Sequence, residues 1–595
     1  MDIQSKKLYF FGLVGFILIS LSGRLVFLQL LNQDDFGKES MKNAVKTITE
    51  TPARGLMYDR NGKVMVDNRP SYTLVITPNS FDKANTDEIA NLVGMPSDEI
   101  KTALEKIKGT NRFNPAKIKR DLDFKAISYL SENKERLKGV DYQVEALRTY
   151  PNNFRASHMF GYAKEISEKQ LEKQIGDYYT QGDMIGSDGL EAKYEETLRG
   201  EKGYKFVSVD VKGREMGSYN DGNSDVKPVN GSDLILSVDS DLQEYAEKLM
   251  GNKRGGVIAM DPRTGEILCM VSKPDYDLNI FSGPTDSKKF ASLMNDVDKP
   301  LFDRVIQSKY PPGSTWKPMM SLIGFSSNEL TPKSTITCEG SFTYGGRTWE
   351  DHGAFGPITV VTAIEKSVNV FFYKLGLKCG IDNYNKYASI YNFGKRTGID
   401  LPNETFGLLP SQEYLDKVFG KKGWNQSVLI NLGIGQGELL VSPVQLATYC
   451  AAISMNGLYS TPHLVSKVKN SMTGEEEMLK FEQRKIDMPL AWFDVVKKGM
   501  YLVVNGTGTA RNIKNDEYVL SGKTGTAENS RGQNHSWFIG FAPYDDPKIA
   551  ICVLGENAGF GNAFAAPIAG SLMVRYLSGN QLDIYKGDAT GEVND

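Results

Sequence analysis

The chain opens on one continuous apolar stretch and then changes character. Leu8 to Gly23 carries no charge, and Leu25-Val26-Phe27-Leu28-Gln29-Leu30-Leu31 continues the run past a single Arg24. As a helix, the segment from Leu8 to Gly23 rises about 24 Å, short of a hydrocarbon core of roughly 30 Å, so the predicted span includes Arg24. The long stem of that arginine carries its charge to the interface. Lys6 and Lys7 precede the run, which predicts a cytoplasmic tail over 1–7, a transmembrane anchor over 8–31 and the remainder outside. The alternative is a cleaved signal peptide. Ser20-Leu21-Ser22 is a poor small-x-small site, however, and the apolar run continues to Leu31, which favours an uncleaved anchor.

Beyond the anchor the apolar positions fall into short periodic pieces. Residues 32–225 are polar, mixed and punctuated by glycine; strands are expected over 47–51 and 72–77, and helices over 87–93 and 99–107. The turn-rich stretch from Ser218 to Gly231 predicts a domain boundary near residue 225. After it, Leu234 to Val238 reads as a strand, Asp241 onward as a helix, and Gly256 to Val271 as two strands joined by a turn. That opening predicts an α+β domain over 226–580, followed by an acidic, polar tail over 581–595 that frays. There is no internal repeat and no low-complexity tract.

Length and charge narrow the class. A chain of 595 residues holds more than one domain, and a formal net charge of −3 without a basic block argues against nucleic acid as the partner. The five cysteines are scattered, odd in number and set mostly among apolar residues, which reads as reduced core thiols and not as a disulfide framework.

Three motifs supply candidate chemistry, in the order S-x-x-K at Ser314-Thr315-Trp316-Lys317, S-x-N at Ser367-Val368-Asn369, and K-T-G at Lys523-Thr524-Gly525. S-x-x-K alone is mostly noise, since it recurs at Ser80/Lys83, Ser131/Lys134, Ser224/Lys227 and Ser466/Lys469. Ser314 differs in its context. Tyr310-Pro311-Pro312-Gly313 forces a turn, and a helix can begin at the serine with its free N–H groups aimed at the reaction centre. A serine hydroxyl needs a base, and residues i and i+3 share a helix face, so Lys317 is placed beside Ser314 Oγ. The helix N-terminus, burial and a second ammonium at Lys523 would all lower the Lys317 pKa. Ser367 is expected at a helix start or tight turn, its hydroxyl shuttling a proton to the leaving amine while Asn369 holds a substrate carbonyl. Taken alone, such a triplet reads as a capping turn. In the strand from Lys523, Thr524 and Thr526 share a face suited to a carboxylate, and Gly525 lets a substrate backbone approach the edge.

Together these motifs resemble those of the serine penicillin-recognising enzymes, S-x-x-K, S-D-N and K-T-G, with Val368 at the position of the middle Asp. Pro52 to Gly62, Gly186 to Glu191 and Leu198-Arg199-Gly200 resemble pedestal signatures of class B penicillin-binding proteins. Tyr310 to Ser314, Thr397 to Pro402, Asn431 to Gly437 and His535 to Pro543 resemble the elongation type more than the division type. The resemblance implies a pedestal over 32–225 and a transpeptidase domain over 226–580, an antiparallel sheet flanked by helices. It implies a peptidoglycan D,D-transpeptidase, the target of β-lactams, that cross-links stem peptides through a Ser314 acyl-enzyme. Catalytic roles then fall on Ser314, Lys317, Ser367, Asn369 and Lys523, substrate binding on Thr524, Gly525 and Thr526, and an oxyanion hole on the N–H groups of Ser314 and Thr526. Implied partners are a polytopic glycan polymerase and other elongation-complex proteins. The alternatives are a division-specific transpeptidase, a β-lactamase or β-lactam sensor, or an idle scaffold. Sensors and β-lactamases lack so long a pedestal, and no deacylating base stands out. No glycosyltransferase signature marks a bifunctional enzyme. Cys338, Asp351 and His352 are competent metal ligands, but their spacing matches no zinc motif, so neither metal nor other cofactor is expected.

Overall fold

The computed structural model describes residues 3–26, 45–105, 107, 112, 114–173, 178–210, 215–281, 287–421, 423–529 and 532–579. Helix α1 (Ile3–Val26) contains an 18-residue window, Tyr9–Val26, of mean hydropathy 1.8, none of it buried against protein. Such a helix fits a single-pass anchor by length and composition. The part of the expected span over 27–31, and the tail over 581–595, lie outside the described residues.

By compactness the chain forms two units, and no single cut separates them. The smaller contains residues up to Ala53, Tyr72–Glu145 and Gly200–Asn230; the larger contains Arg54–Ser71, Ala146–Arg199 and everything from Gly231. In the smaller unit an antiparallel sheet is formed by Val45–Glu50, Gly203–Val209 and Glu215–Ser218. Helices Thr86–Val93, Ser97–Glu105 and Phe124–Glu132 enclose a core that includes Leu74, Ile76, Ile89 and Leu130. Of the four elements expected from pattern over 47–107, the strand over 47–51 and both helices form within two residues of their expected bounds, while the strand expected over 72–77 is the end of a longer one, Val64–Ile76.

In the larger unit, segments from before residue 200 belong with the C-terminal part for a visible reason. Arg54 Nη2 meets Glu191 Oε2 at 2.6 Å and Glu195 Oε2 at 2.5 Å, while Arg148 Nε meets Glu191 Oε1 at 2.7 Å. The Glu191 side chain is fully buried. Arg54 and Glu191 come from two separate sequence signatures, and burial makes the charge pair mutually obligatory. The Leu56 N–H also donates to Asp233 Oδ1 at 2.7 Å, tying this network to the strand that opens the C-terminal domain.

After that strand, Asp233–Leu236, the domain continues with helix α2 (Ser240–Met250) and strands β1 (Gly255–Met260) and β2 (Ile267–Lys273). It continues through α3 (Lys317–Ser326), α4 (Val360–Glu365), α5 (Asn369–Ser389), α6 (Pro443–Ser454) and α7 (Leu490–Asn505). It closes with β3 (Ser521–Ala527), β4 (His535–Ala542), β5 (Ile549–Gly555) and α8 (Ala565–Leu577). The five strands form one antiparallel sheet in the order β2-β1-β5-β4-β3. Helices α2 and α8 pack together on it, and α6 and α7 pack on it as a separate set. With helices over it, the sheet hides even alternate side chains: every residue of β4 and β5 is buried. This is why those strands read as continuous apolar runs and not as an alternation. Strand β3, the one bearing K-T-G, lies at the edge of the sheet.

Candidate active site

The nucleophile turn is built by glycine. Gly313 has φ +54°, and a Cβ there would lie 2.6 Å from Thr526 O, so only glycine lets this turn lie against β3. Residues Gly313–Trp316 form a 3-10 turn that passes directly into α3 at Lys317. The α-helix therefore starts three residues later than expected, but the turn keeps Ser314 and Lys317 one helical step apart. The Thr315 hydroxyl donates to Pro312 O at 2.8 Å and closes the turn.

Gly525 serves the same junction from the other side. A Cβ on it would meet Pro312 O and Thr315 Cγ2, each at 2.8 Å. The nucleophile turn fills the space that a side chain at this residue would take. Glycine is required there whether or not a ligand binds.

Ser314 is half-buried, and its Oγ has no hydrogen-bond partner among the described residues. Lys317, fully buried, does not hydrogen-bond to it. Its Nζ lies 2.6 Å from Ser367 O, 3.1 Å from Ser367 Oγ and 2.7 Å from Asn369 Oδ1, which occupies all three donors of an ammonium. Burial pushes the Lys317 pKa down to about 7, against the opposing pull of Asp351. Lys523, also fully buried, donates to Ser367 Oγ at 3.0 Å and to Thr524 O at 3.0 Å. Burial first, and then the Lys317 charge, hold Lys523 well below the usual lysine range. The Ser367 hydroxyl is thus the meeting point of both amines, and the pair holds fewer than two protons near neutrality. When Lys317 is neutral it keeps two N–H groups for Ser367 O and Asn369 Oδ1, and its lone pair faces the Ser367 hydroxyl and can accept a proton.

The S-x-N turn has a defined strain. Ser367 N–H reaches Ile364 O at 3.2 Å, Val368 N–H reaches Ala363 O at 3.0 Å, and φ at Ser367 is +57°. This is a Schellman ending of α4 with serine at the left-handed position that glycine usually fills. Helix α5 then begins at Asn369. The triplet is therefore a capping turn in geometry, as its bare sequence reads, and it also carries the groups that hold both lysines.

On β3 the two threonines have different neighbours. Thr524 Oγ1 is 2.6 Å from Thr509 Oγ1, while Thr526 Oγ1 accepts the Gly561 N–H at 3.4 Å and remains half-buried. Gln436 Nε2 donates to Thr526 O at 3.4 Å, and Gly313 N–H donates to Gly435 O at 2.9 Å. The segment Asn431–Gly437 thus holds both the nucleophile turn and the strand. Thr509 and Gln436 were not foreseen, because each acts through one hydrogen bond from a loop without periodicity.

Cys338, Asp351 and His352 do not converge on a common point. Cys338 Sγ donates to Ile336 O at 3.5 Å, and the Asp351 carboxylate pairs with His352. Among the described residues no group of three His, Cys, Asp or Glu side chains is placed to hold a metal.

Comparison with known proteins agrees with this geometry. The family model for the penicillin binding protein transpeptidase domain matches residues 255–574, and that for the penicillin-binding protein dimerisation domain matches 49–236. The "Peptidoglycan D,D-transpeptidase MrdA" of Acinetobacter baumannii is 32% identical over 94% of this chain and 87% of that protein. A solved complex between penicillin-binding protein PBP2 and MreC from Helicobacter pylori matches with a TM-score of 0.79 and 28% identity, covering 90% of this chain and 99% of the other. A structure titled for the coordination of polymerization and crosslinking by a peptidoglycan synthase complex matches with a TM-score of 0.71 and 26% identity, over 97% and 98%.

Proposed function

The chain belongs to the penicillin-binding protein transpeptidase family, and from that premise we propose a reaction carried by the Ser314, Lys317, Ser367, Asn369 and Lys523 constellation. The activity is that of a peptidoglycan D,D-transpeptidase of the cell-elongation type. Neutral Lys317 takes the proton from Ser314 as Oγ attacks the penultimate D-Ala carbonyl of a donor stem peptide. The N–H groups of Ser314 and Thr526 stabilise the oxyanion. As the peptide bond breaks, the terminal D-Ala leaves with a proton delivered through Ser367, leaving an ester on Ser314. An amine of an acceptor stem then attacks that ester and regenerates the serine. Lys523, Thr524 and Thr526 bind the donor carboxylate, and Asn369 holds a backbone amide. The observation that carries this assignment is the convergence of both lysines on one hydroxyl, at 3.1 and 3.0 Å.

We further propose that 8–31 anchors the chain, 32–225 forms the pedestal and 226–580 the transpeptidase domain, with residues 54–71 and 146–199 of the pedestal packing into the larger compact unit. Lys6 and Lys7 favour a catalytic domain on the outer side of the cytoplasmic membrane. A relative solved with MreC and another solved in a peptidoglycan synthase complex support a polymerase and elongation-complex proteins as partners, met through the anchor and pedestal.

Labelling with a fluorescent penicillin, followed by mapping of the modified residue, tests the assignment. Stable label is expected on Ser314, persisting for many minutes, and none in Ser314→Ala. Label retained by that variant would refute the nucleophile. Rapid turnover of nitrocefin would favour a β-lactamase.

A further inference from the structure

Asp351 and His352 follow the hairpin Ser341–Tyr344/Arg347–Glu350 and reach the S-x-N turn from outside it. The Asp351 side chain is fully buried. Its Oδ2 accepts the Val370 N–H at 2.7 Å, and the carboxylate also takes the Asn369 N–H. It therefore caps the positive end of α5 from a separate segment. Asp351 Oδ1 accepts the His352 N–H at 2.9 Å and lies 2.8 Å from His352 Nδ1. His352 Nε2 lies 2.9 Å from Lys366 O, the residue that ends α4. With oxygen acceptors at both ring nitrogens, the imidazole is held as a double donor. Burial opposes the Asp351 charge, but hydrogen bonds from His352 and from the start of α5 outweigh it and hold the carboxyl below its usual range. The His352 pKa is raised chiefly by its hydrogen bond to Asp351.

The pair thus grips the chain on both sides of Ser367, at Lys366 and at Asn369–Val370. Ser367 sits between them in a left-handed conformation that serine does not favour. Asp351 is also the one carboxylate whose charge bears on Lys317. The other titratable groups feeling its field are His352, Cys338 and Tyr373. Lys374 bears on Cys338 and donates to Thr337 O. Lys366 Nζ and Glu365 are turned toward Thr507.

We propose that Asp351 and His352 form a clamp that positions the Ser367–Asn369 turn for proton transfer, with the Asp351 carboxylate as counter-charge to the buried Lys317. They are positioning residues, touching no substrate, and the inference rests on the reading of Ser314 as nucleophile and Lys317 as base. Asp351→Asn removes the charge at nearly constant shape. Its rate of acylation by fluorescent penicillin at pH 8 should fall about tenfold, the scale of one lost charge-assisted hydrogen bond. The deficit should shrink as pH is lowered through 7, because Lys317 without its counter-charge deprotonates at lower pH. A purely structural role would give the same deficit at every pH, and that result would overturn the counter-charge.

His352 is half-exposed and tolerates substitution if Asp351→Asn does not fold. His352→Ala should acylate several-fold more slowly with little change in Tm, and His352→Gln, which restores a donor toward Lys366 O, should recover part of the loss. Wild-type acylation by His352→Ala would overturn the clamp. Should the wild-type chain itself fail to label at Ser314, the proposed function falls. If it labels normally and the Asp351→Asn deficit is constant with pH, only the counter-charge role falls.

Discussion

Ser367 separates strain from chemistry, because two substitutions remove the same hydroxyl and differ in what they do to the backbone. In the wild type the Ser367 hydroxyl accepts from Lys317 at 3.1 Å and from Lys523 at 3.0 Å, while φ is +57°. Ser367→Ala loses the hydroxyl and keeps a Cβ in the left-handed region. Ser367→Gly loses the hydroxyl and the Cβ together. A left-handed conformation costs a non-glycine residue roughly 1–2 kcal/mol. Against this, the greater freedom of glycine in the unfolded chain takes back about 0.4–1 kcal/mol. The glycine variant should therefore be more stable than the alanine variant by about 0.5–1 kcal/mol, or a degree or two in Tm. Both lysines retain other acceptors after the hydroxyl is lost, Lys317 at Ser367 O and Asn369 Oδ1 and Lys523 at Thr524 O, so neither variant leaves a buried amine unpartnered.

Acylation should not follow stability. If Ser367 passes the proton between the amines and the leaving group, both variants should acylate about 10²–10⁴-fold more slowly, the usual range for a lost general acid–base group. The two deficits should be similar even though the stabilities differ. Differential scanning fluorimetry beside stopped-flow acylation reads both quantities on the same samples. A glycine variant no more stable than the alanine variant would refute the strain argument, and acylation within a few-fold of wild type in either would refute the proton-transfer role.

The remaining predictions use the same assays. Because burial lowers the Lys317 pKa to about 7, the neutral base is present above that pH and lost below it; acylation should level off above about pH 8 and fall about tenfold per unit below pH 6. Lys317→Arg cannot deprotonate and should lose about 10²–10⁴-fold at every pH; a rate near wild type would place the base elsewhere. Thr526→Val keeps strand propensity and removes a hydroxyl, so acylation should drop roughly 10- to 150-fold for a substrate with a free carboxylate and much less for its amide. Glu191→Ala leaves Arg54 and Arg148 buried without their shared counter-charge and should cost about 3–5 kcal/mol, visible as a lowered Tm and faster proteolysis; unchanged thermal stability would refute the network's role.

What was legible from residues alone, and what was not, divides along a physical line. Periodicity and turn chemistry act over a few neighbours, so an apolar N-terminal helix, three of the four short elements over 47–107 and the strand–helix–hairpin opening after residue 231 stand near their expected places. The three motifs were legible because each packs its functional groups into three or four consecutive residues. The relations between them were not. Spacing along a helix put Lys317 on the Ser314 face, but it could not show that the amine also meets three acceptors on the Ser367 turn. Burial was among the expected causes of a lowered Lys317 pKa and is the largest one, and burial together with the neighbouring Lys317 charge lowers Lys523 as well. Gly525 was read as room for a ligand, and the packing of Pro312 and Thr315 against it requires glycine for a second reason that the motif alone did not show. Asp351 shows the limit most plainly. Its chemistry as a buried carboxylate was visible, and a metal was the natural use to consider. Besides the adjacent His352, its partners are backbone N–H groups at the start of a helix nearly twenty residues on. A backbone donor carries no residue type, so no pattern of side chains could have pointed to it.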